Sequence, residues 1–547
     1  MNSFSSKNRA SIIHHLNTSS FDVAVIGGGI TGAGIALDAS ARGLKVALID
    51  MQDFAAGTSS RSTKLIHGGL RYLKQMELKL VAEVGKEREI VHQNAPHLTK
   101  PERMLLPIVV NGSLGKFTSR IGMWIYEWLA GVKKEERHKV LSKKQTLETE
   151  PLLRSDNLLG GILFYEYRTD DARLTIEVMK EAVNRGAIAV NYMKATSFIY
   201  EGNKICGVNV QDQLSGSTHQ IKTKYVVNAG GSWVDDLDDL DEKNNKHKLH
   251  ITKGVHLVVD WKKLPLKQSS YFDTFDKRML FVIPREGKTY IGTTDTFYTG
   301  DLVHPQITKE DKEYILKCVN AYYPNNQLKT SDIESAWAGL RPLVNKPGKG
   351  PSEISRKDEL FISASGMITI AGGKLTGYRK MAERVVDKIS ENIRATENKK
   401  IPACSTHNIP LSGGKINGAS HFPEFLKSKI GKGLSIDLTK EEAKLLVYRY
   451  GSNVDEIFTL IEQLKSEKNN IPVILRAQLH YAIHKEMCTS PADFFIRRIG
   501  ALYFDIASVK KWKAELTAYM QNILKQESQL IAKFNLELES ALEELKD

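Results

Sequence analysis

The sequence contains few cysteines and lacks a long apolar run. Its four cysteines, Cys206, Cys318, Cys404 and Cys488, are scattered without paired spacing along 547 residues. This argues against a disulfide framework and against a zinc site, so no metal is expected. Residues 1–20 are polar and lack the apolar segment of a signal peptide. Nowhere do about eighteen apolar residues follow one another, so no membrane-spanning helix is expected. These absences predict a cytoplasmic chain and leave peripheral membrane attachment open.

The charge of the chain is strongly basic, with a formal net charge of +13. A basic excess favours anionic partners such as nucleic acid, an acidic membrane surface or a phosphorylated substrate. The chain has no Arg- or Lys-rich run with interleaved aromatic residues, so nucleic acid is not expected as a partner. A membrane surface and a phosphorylated substrate remain.

The strongest motif is a glycine-rich turn between a predicted strand over residues 21–26 and a predicted helix over residues 31–42. Gly27, Gly29 and Gly32 occupy the glycine positions of a dinucleotide-binding fingerprint, with Ile30 and Thr31 between the last two. They permit the tight turn, the approach of the backbone to a pyrophosphate, and helix–strand packing. The helix N-terminus offers free N–H groups to the phosphates. Asp50 ends the next predicted strand, where its carboxylate would accept hydrogen bonds from ribose hydroxyls.

The residues after Asp50 favour FAD over NAD as the dinucleotide. The chain runs through a small, polar stretch over residues 55–62, which contains Thr58, Ser59 and Ser60 and suits close approach to a flavin. A second dinucleotide fingerprint is absent, so a dedicated NAD domain is not expected.

Three further segments are expected to contact the cofactor. The segment over residues 64–73 follows the fingerprint, and the segment over residues 226–233 is a predicted strand ending in small residues. The segment over residues 370–379 reads as a strand, a glycine pair and a helix beginning at Lys374. That helix N-terminus could stabilise a reduced flavin. The cofactor-contacting residues predicted here are Lys64, Leu65, His67, Gly68, Gly69, Ala229, Gly230, Trp233, Gly373, Lys374, Leu375 and Thr376.

These motifs together resemble the FAD-dependent glycerol-3-phosphate dehydrogenases, of the aerobic bacterial kind and their mitochondrial relatives. The resemblance rests on the fingerprint, KLIHGGLRYL, NAGGSW, KGVH, IGTTD, GLRP and AGGKLTGYRK, in this order over residues 20–390. The later HYAIHKEMCTSPADFFIRRIG resembles the family's helical cap domain. The resemblance implies bound FAD and oxidation of sn-glycerol 3-phosphate to dihydroxyacetone phosphate, by hydride transfer from C2 to flavin N5. It also implies electron delivery to a membrane quinone at the inner face of the cell membrane, and leaves a homodimer open.

The fold expected is an α/β FAD-binding domain, Rossmann-like and of the glutathione-reductase type. An α+β substrate domain is interleaved with it, and a helical domain follows. The boundaries predicted are a flexible leader over residues 1–20, the oxidoreductase region over 21–400 and the helical cap over 401–547. Within the oxidoreductase region, the substrate part covers roughly residues 90–165 and 250–350. Strand-like runs predominate between residues 150 and 340, and no convincing strand follows residue 420.

The substrate requires a cationic site for its phosphate and a base for its C2 hydroxyl. Arg341 and Arg356 are the candidate phosphate ligands, because a guanidinium donates two parallel hydrogen bonds to such a group. Arg71, with Tyr72 beside it, and Lys374 lie in flavin-proximal motifs and are expected to bind the substrate.

His256 is the candidate general base, since a neutral imidazole can take the hydroxyl proton. The family's matching histidine lies at the substrate, which favours His256 over His67. The catalytic set predicted is therefore His256, Arg341 and Lys374. Alternatively, His256 is a structural histidine on a strand, and His67 orients the backbone beneath the flavin.

Other functions remain open at this point. A glycerol-3-phosphate oxidase would use O2 and give H2O2; its family members tend to be longer through an inserted segment, and no insert interrupts residues 330–420. An amino-acid oxidase would need no phosphate-binding arginine, and a non-catalytic or tRNA-associated flavoprotein would not need the intact catalytic set. Residues 113–132 predict an amphipathic helix with Trp124 and Trp128 on one face, suited either to a membrane surface or to core packing.

Overall fold

The computed structural model describes residues 4–67, 78–112, 136–241, 249–344, 358–525 and 528–543. Within these residues the chain forms two β-sheets, helices that pack on them, and a helical C-terminal region. This architecture confirms the predicted fold class.

The first sheet is mostly parallel and contains the strands of the glycine-rich fingerprint. Strand Ser20–Ile26 lies at its centre and pairs in parallel with Thr218–Asn228 on one side and Val46–Ile49 on the other. All four residues of Val46–Ile49 are buried, as expected for a parallel strand covered on both faces. The remaining strands described in this sheet are Ile188–Val190, Met193–Glu201, Lys204–Asp212, Glu359–Ile362 and Ile368–Ala371.

The second sheet is almost entirely antiparallel and belongs to the segments predicted to bind the substrate. Its long central strands are Thr99–Val109, Leu158–Thr169, Leu249–Asp260 and Ile333–Val344. Strand Leu249–Asp260 pairs with both Ile333–Val344 and Lys288–Gly292, which places His256 opposite Trp337 and Gly292. The other strands described are Leu65–Ile66, Lys139–Ser142, Ser269–Asp273, Met279–Arg285 and Thr296–Phe297.

Helices cover the first sheet and provide one buried core with it. Helices Ile30–Ala41 and Tyr378–Glu397 pack on each other, and Ile30–Ala41 also packs on Asp171–Asn184. Asp170 is the N-cap of helix Asp171–Asn184, and its carboxylate accepts a hydrogen bond from Arg173 N. The other helices described before residue 400 are Arg9–Thr18, Leu78–Asn94, Lys143–Thr149, Val234–Asp239 and Lys309–Tyr322.

The N-terminal leader is not the flexible segment that its polar composition predicts. It forms a helix over Arg9–Thr18 directly before the first strand. The ring of Phe4 stacks on Phe54 with centroids 5.5 Å apart, and Leu16 is buried in the first core. Arg9 pairs with Asp212 at 2.7 Å. The prediction was wrong because the few apolar residues of this segment bury themselves against distant parts of the chain.

Among the described residues after 400, the C-terminal region forms helices and no strand, as predicted. Its helices are Phe422–Leu434, Lys440–Tyr450, Val454–Leu464, Val473–Lys485, Ala501–Phe504, Ile506–Leu524 and Ser528–Glu543, with a π-helical turn over Asp493–Arg498. Part of this region shares a core with the second sheet: Phe494 and Phe504 pack with Tyr290 and Trp337. Among the described helices, none is both long and apolar enough to cross a bilayer.

Candidate active site

A cavity of about 740 Å³ lies where the carboxyl ends of the parallel strands face the second sheet. Gly27, Asp50, Ala229 and Gly372 each follow directly after one of these parallel strands, and all four line the cavity. Ligands of open α/β sheets bind at this edge. The predicted residues that line the cavity are Gly27, Gly29, Ile30, Thr31, Asp50, Thr58, Ser59, Leu65, His67, Ala229, Gly230, Trp233, His256, Arg341, Gly373, Lys374, Leu375 and Thr376.

The fingerprint turn has the close backbone packing that its glycines predict. Gly27 adopts a φ of 114°, and a Cβ on Gly32 would lie only 1.8 Å from the Gly27 carbonyl oxygen. Helix Ile30–Ala41 begins at this turn, and its first residue donates from N to Ser59 Oγ at 2.9 Å. A helix N-terminus opening on a cavity with small side chains fits the pyrophosphate of a dinucleotide. Gly32 itself lies behind the turn and contributes packing.

Asp50 lines the cavity beside the fingerprint turn. Its Oδ2 accepts from Gly28 N at 2.6 Å and its Oδ1 from Gln52 N at 2.8 Å. Burial raises the pKa of the Asp50 carboxyl to about 7, against the lowering effect of these two backbone donors. Each carboxylate oxygen has further acceptor capacity. This arrangement fits the predicted hydrogen bonds from ribose hydroxyls.

The segment after Asp50 divides between the cavity and the packing behind it. Thr58 donates through Oγ1 to the Leu340 carbonyl at 2.6 Å, which joins the cofactor-side segment to the substrate sheet. Ser60 donates to the Gly57 carbonyl at 3.5 Å and lies outside the cavity wall. The Lys64 ammonium is buried, 2.6 Å from the Asp171 carboxylate. The side chain of Lys64 thus forms a buried ion pair, and its contact with the cofactor stays a prediction.

The segment around Lys374 borders the cavity, although its helix begins later than predicted. Lys374 is extended, with φ of −138° and ψ of 152°; a 3-10 turn over Leu375–Gly377 follows, and the α-helix begins at Tyr378. Thr376 Oγ1 accepts from His67 N at 3.1 Å and donates to the His67 carbonyl at 3.2 Å. The two predicted flavin-proximal segments are thus joined. His67 also lines the cavity, and both of its backbone groups are held by the Thr376 hydroxyl.

His256 is buried in the cavity wall on strand Leu249–Asp260. Its ring stacks on Trp337 with centroids 4.8 Å apart and an interplanar angle of 11°. Nε2 lies 3.0 Å from Thr63 Oγ1. Burial, with the positive charges of Arg341 and Lys64, holds the pKa of His256 well below its usual value. The ring is therefore neutral at physiological pH and able to accept a proton.

Arg341 extends from strand Ile333–Val344 into the same cavity. A Cβ on Gly254 would lie 2.1 Å from Arg341 Nη2, so a larger residue there would displace the guanidinium from this position. Nη1 lies 3.2 Å from Asp295 Oδ1, and Nη2 donates to Thr293 Oγ1 at 3.0 Å. The side chain keeps 17% of its surface exposed. The guanidinium is thus oriented by neighbours while one side borders the cavity.

Several residues of the cavity wall were not predicted from the sequence. Residues 193–196 form the wall near Asp50, since Met193 N donates to the Asp50 carbonyl at 2.6 Å. Thr63 forms it near His256. Residues 193–196 lie on a strand without a motif, and no sequence signal identifies them. Thr63 directly precedes KLIHGG and follows the polar stretch over residues 55–62, so its position in the chain was a signal that could have been used.

Five predicted residues lie outside the residues that the structure describes. They are Gly68 and Gly69 for the cofactor, and Arg71, Tyr72 and Arg356 for the substrate. Their roles remain sequence-based predictions. The amphipathic segment over residues 113–132 lies outside the described part as well.

Comparison with protein families decides the class of this fold. Residues 22–379 match the model described as FAD dependent oxidoreductase, and residues 404–530 match the C-terminal domain of alpha-glycerophosphate oxidase. The chain belongs to the FAD-dependent oxidoreductase family. The cofactor of this family is FAD, which confirms the cofactor predicted from the fingerprint.

Two relatives of about half identical sequence carry the same name. The aerobic glycerol-3-phosphate dehydrogenase of Bacillus subtilis (strain 168) is 54% identical over 520 residues, covering 94% of each chain. The protein of the same name from Staphylococcus haemolyticus (strain JCSC1435) is 50% identical, covering 99% of this chain and 97% of its own. This FAD-dependent oxidoreductase therefore belongs with the aerobic glycerol-3-phosphate dehydrogenases, as its motifs predicted.

Solved structures agree with this assignment. The glycerol-3-phosphate dehydrogenase of Bacillus halodurans, complexed with FAD, is 46% identical with a TM-score of 0.86, covering 100% of this chain and 99% of its own. The L-alpha-glycerophosphate oxidase of Mycoplasma pneumoniae is 18% identical with a TM-score of 0.57, which indicates a shared fold alone. That oxidase is matched over 97% of its length by 71% of this chain.

Proposed function

We propose that this flavoprotein oxidises sn-glycerol 3-phosphate to dihydroxyacetone phosphate and passes the electrons to a membrane quinone. The observation that carries the proposal is the convergence of His256, Arg341 and Lys374 on the cavity that the dinucleotide fingerprint borders. The names of relatives about half identical over the full chain support the same substrate.

The residues divide the work of substrate binding and proton transfer. Arg341 binds the phosphate through charge-assisted hydrogen bonds, each contributing about 1.5–3 kcal/mol. Lys374 adds a second positive charge at the cavity and holds a substrate hydroxyl. The neutral His256 ring takes the proton of the C2 hydroxyl. Bound FAD supplies the acceptor for the hydrogen and electron pair that leave C2.

The buried setting of His256 suits this role. Burial and the positive charges of Arg341 and Lys64 keep the imidazole neutral, so it carries a lone pair that can accept a proton at neutral pH. The stack on Trp337 fixes the plane of the ring. An amino acid has no phosphate for these cations to bind, and a non-catalytic FAD carrier would not need the three groups together.

The experiment is anaerobic mixing of the holoenzyme with glycerol 3-phosphate while the flavin absorbance is recorded. Rapid bleaching by glycerol 3-phosphate, and none by glycerol or by a neutral amino acid, is expected. Absence of bleaching would exclude the proposed substrate.

The electron acceptor is tested in the second half of the same experiment. Addition of a quinone analogue to the reduced enzyme should restore the oxidised flavin quickly, whereas oxygen should act slowly. The alternative is a glycerol-3-phosphate oxidase, which the name of the matching C-terminal family keeps open. Rapid reoxidation by oxygen with one H2O2 per turnover would favour that alternative.

A further inference from the structure

The chain immediately before the KLIHGG motif is held in place by the substrate sheet. Trp337 donates from Nε1 to the Ser62 carbonyl at 3.1 Å, and the Tyr290 hydroxyl donates to the Thr63 carbonyl at 3.2 Å. The Lys64 ammonium bonds to Asp171 at 2.6 Å. Three neighbouring residues are thus fixed by three separate contacts, and the position of the Thr63 side chain follows from them.

The Thr63 hydroxyl faces the imidazole of His256. Oγ1 lies 3.0 Å from Nε2, and both residues line the cavity. The other ring nitrogen, Nδ1, is buried and has no hydrogen-bond partner among the residues that the structure describes. Trp337 stacks on the face of the ring. Among the residues that the structure describes, the Thr63 hydroxyl is therefore the polar group that orients the edge of the ring.

A hydroxyl group suits the position of Thr63, next to a ring that gains a proton during the reaction. The ring can take the substrate's proton at Nδ1 only in the tautomer that carries its hydrogen on Nε2. The Thr63 hydroxyl accepts a hydrogen bond from this Nε2–H before and after the transfer, so the contact persists in both states of the base. The hydrogen bond to the charged ring is the stronger of the two. The charged groups facing the ring are Arg341 and Lys64, which oppose its protonation and are themselves paired with Asp295 and Asp171.

We propose that Thr63 is a positioning residue of the reaction, whose hydroxyl orients His256 and stabilises the ring after it has taken the substrate's proton. The proton comes from the C2 oxygen of glycerol 3-phosphate. The hydrogen and electron pair that leave C2 go to FAD, as in the proposed reaction. The inference rests on the proposed role of His256 as the base.

The test is Thr63→Val, which keeps the branched shape and removes the hydroxyl. We expect kcat to fall about ten- to hundred-fold, as the loss of a charge-assisted hydrogen bond implies. KM for glycerol 3-phosphate and the FAD content should remain close to wild type, since Arg341 and the fingerprint are unchanged. The acid limb of the kcat–pH profile should move to lower pH, because the protonated ring loses its acceptor.

Two further variants are controls for Thr63→Val. Thr63→Ser restores the hydroxyl and should recover kcat and the pH profile. Thr289→Val removes another buried threonine hydroxyl of the same sheet, one that donates to the Leu264 carbonyl at 3.0 Å and lies outside the cavity wall. It should leave kcat unchanged. In a His256→Ala background, Thr63→Val should cause no further loss, because the two residues act as one unit.

The outcomes separate the two proposals. A normal kcat in His256→Ala rejects the proposed base. A reduced kcat in His256→Ala with an unchanged kcat and pH profile in Thr63→Val rejects the role of Thr63 alone. If Thr63→Val and Thr63→Ala both fail to retain FAD while Thr63→Ser retains it, or if KM and kcat change in proportion, Thr63 holds the fold and the proposal is overturned.

Discussion

Arg341 combines three features that a phosphate-binding residue needs. It is held by Thr293 and Asp295, it borders the cavity, and it remains partly exposed. Its pairing with Asp295 lowers its net charge, so the phosphate must share or displace that contact. We therefore expect Arg341→Ala to raise KM for glycerol 3-phosphate by about one to two orders of magnitude, as the loss of a charge-assisted bond requires.

Steady-state kinetics checks this prediction. Arg154→Ala is a matched control, because Arg154 is a surface arginine paired with Asp156 outside the cavity. It should leave KM unchanged. A wild-type KM in Arg341→Ala would show that another residue binds the phosphate.

His256 leads to a prediction about pH. Burial lowers its pKa well below 6.5, and the cations Arg341 and Lys64 lower it further. The proton-accepting neutral form therefore persists as pH falls through 6.5, where a free imidazole would become protonated. At saturating substrate, kcat should stay constant through this pH and decline only below it. An acid limb centred at or above pH 6.5 would contradict this assignment.

Replacing the ring tests the same residue directly. His256→Ala should lower kcat by about 10²–10⁴, the usual contribution of general base catalysis. The spectrum of bound FAD should not change, because the fingerprint lies elsewhere on the cavity wall. Stopped-flow reduction of the flavin at the wild-type rate would reject His256 as the base.

At the scale of elements, the C-terminal π-helical turn is joined to the segment after Asp50 by buried charges. Asp53 is fully buried and bonds to Arg497 Nε at 2.7 Å and to Arg498 Nη1 at 2.7 Å. Although burial alone would raise it, the two guanidinium groups hold the pKa of Asp53 below its usual value. Residues on both sides of Asp53, Gln52 and Ala56, line the cavity.

This junction predicts a large loss of stability on removing one charge. Asp53→Asn keeps the shape but leaves two buried guanidinium groups without their shared carboxylate, which should cost about 3–5 kcal/mol of unfolding free energy. Denaturant unfolding of the holoenzyme checks this, with Asp156→Asn at the exposed Arg154 pair as the control. Equal effects of the two variants would show that the buried network contributes little.

The elements that the sequence predicted well are those specified by neighbouring residues. The fingerprint helix was predicted over residues 31–42 and runs over Ile30–Ala41, and the strand before it was predicted over residues 21–26 and runs over Ser20–Ile26. The features that were missed depend on distant partners. Lys64 pairs with Asp171, 107 residues away, and Phe4 stacks on Phe54. Local patterns carry no information on such contacts.

The residues of the site also divide into those that a local sequence pattern identifies and those that depend on distant partners. Glycines that follow strands identified the cofactor side, because the backbone requirement is local. The wall over residues 193–196 lies at the cavity because Met193 N bonds to the Asp50 carbonyl, a contact between residues 143 positions apart. The contact of Thr63 with His256 joins residues 193 positions apart. Neither contact can be recognised from the local sequence.

At the scale of the whole molecule, the net charge of +13 suits both an anionic substrate and an anionic surface. A quinone dissolved in lipid can be reached only by an enzyme that lies on the membrane. We therefore propose peripheral attachment to the inner face of the cell membrane. The sequence over residues 113–132 is the candidate segment, because its apolar residues recur at intervals of three and four.

The attachment can be tested by changing this segment alone. Trp124 and Trp128 would insert at the headgroup level, while Lys133 and Lys134 would attract anionic lipid. Replacing both tryptophans by serine and both lysines by glutamate should release the enzyme from liposomes that contain anionic lipid. Activity with a soluble dye should survive, because the described cavity is unchanged, while quinone reductase activity should fall. Unchanged vesicle binding, or an equal loss of both activities, would instead assign this segment to the core of the protein.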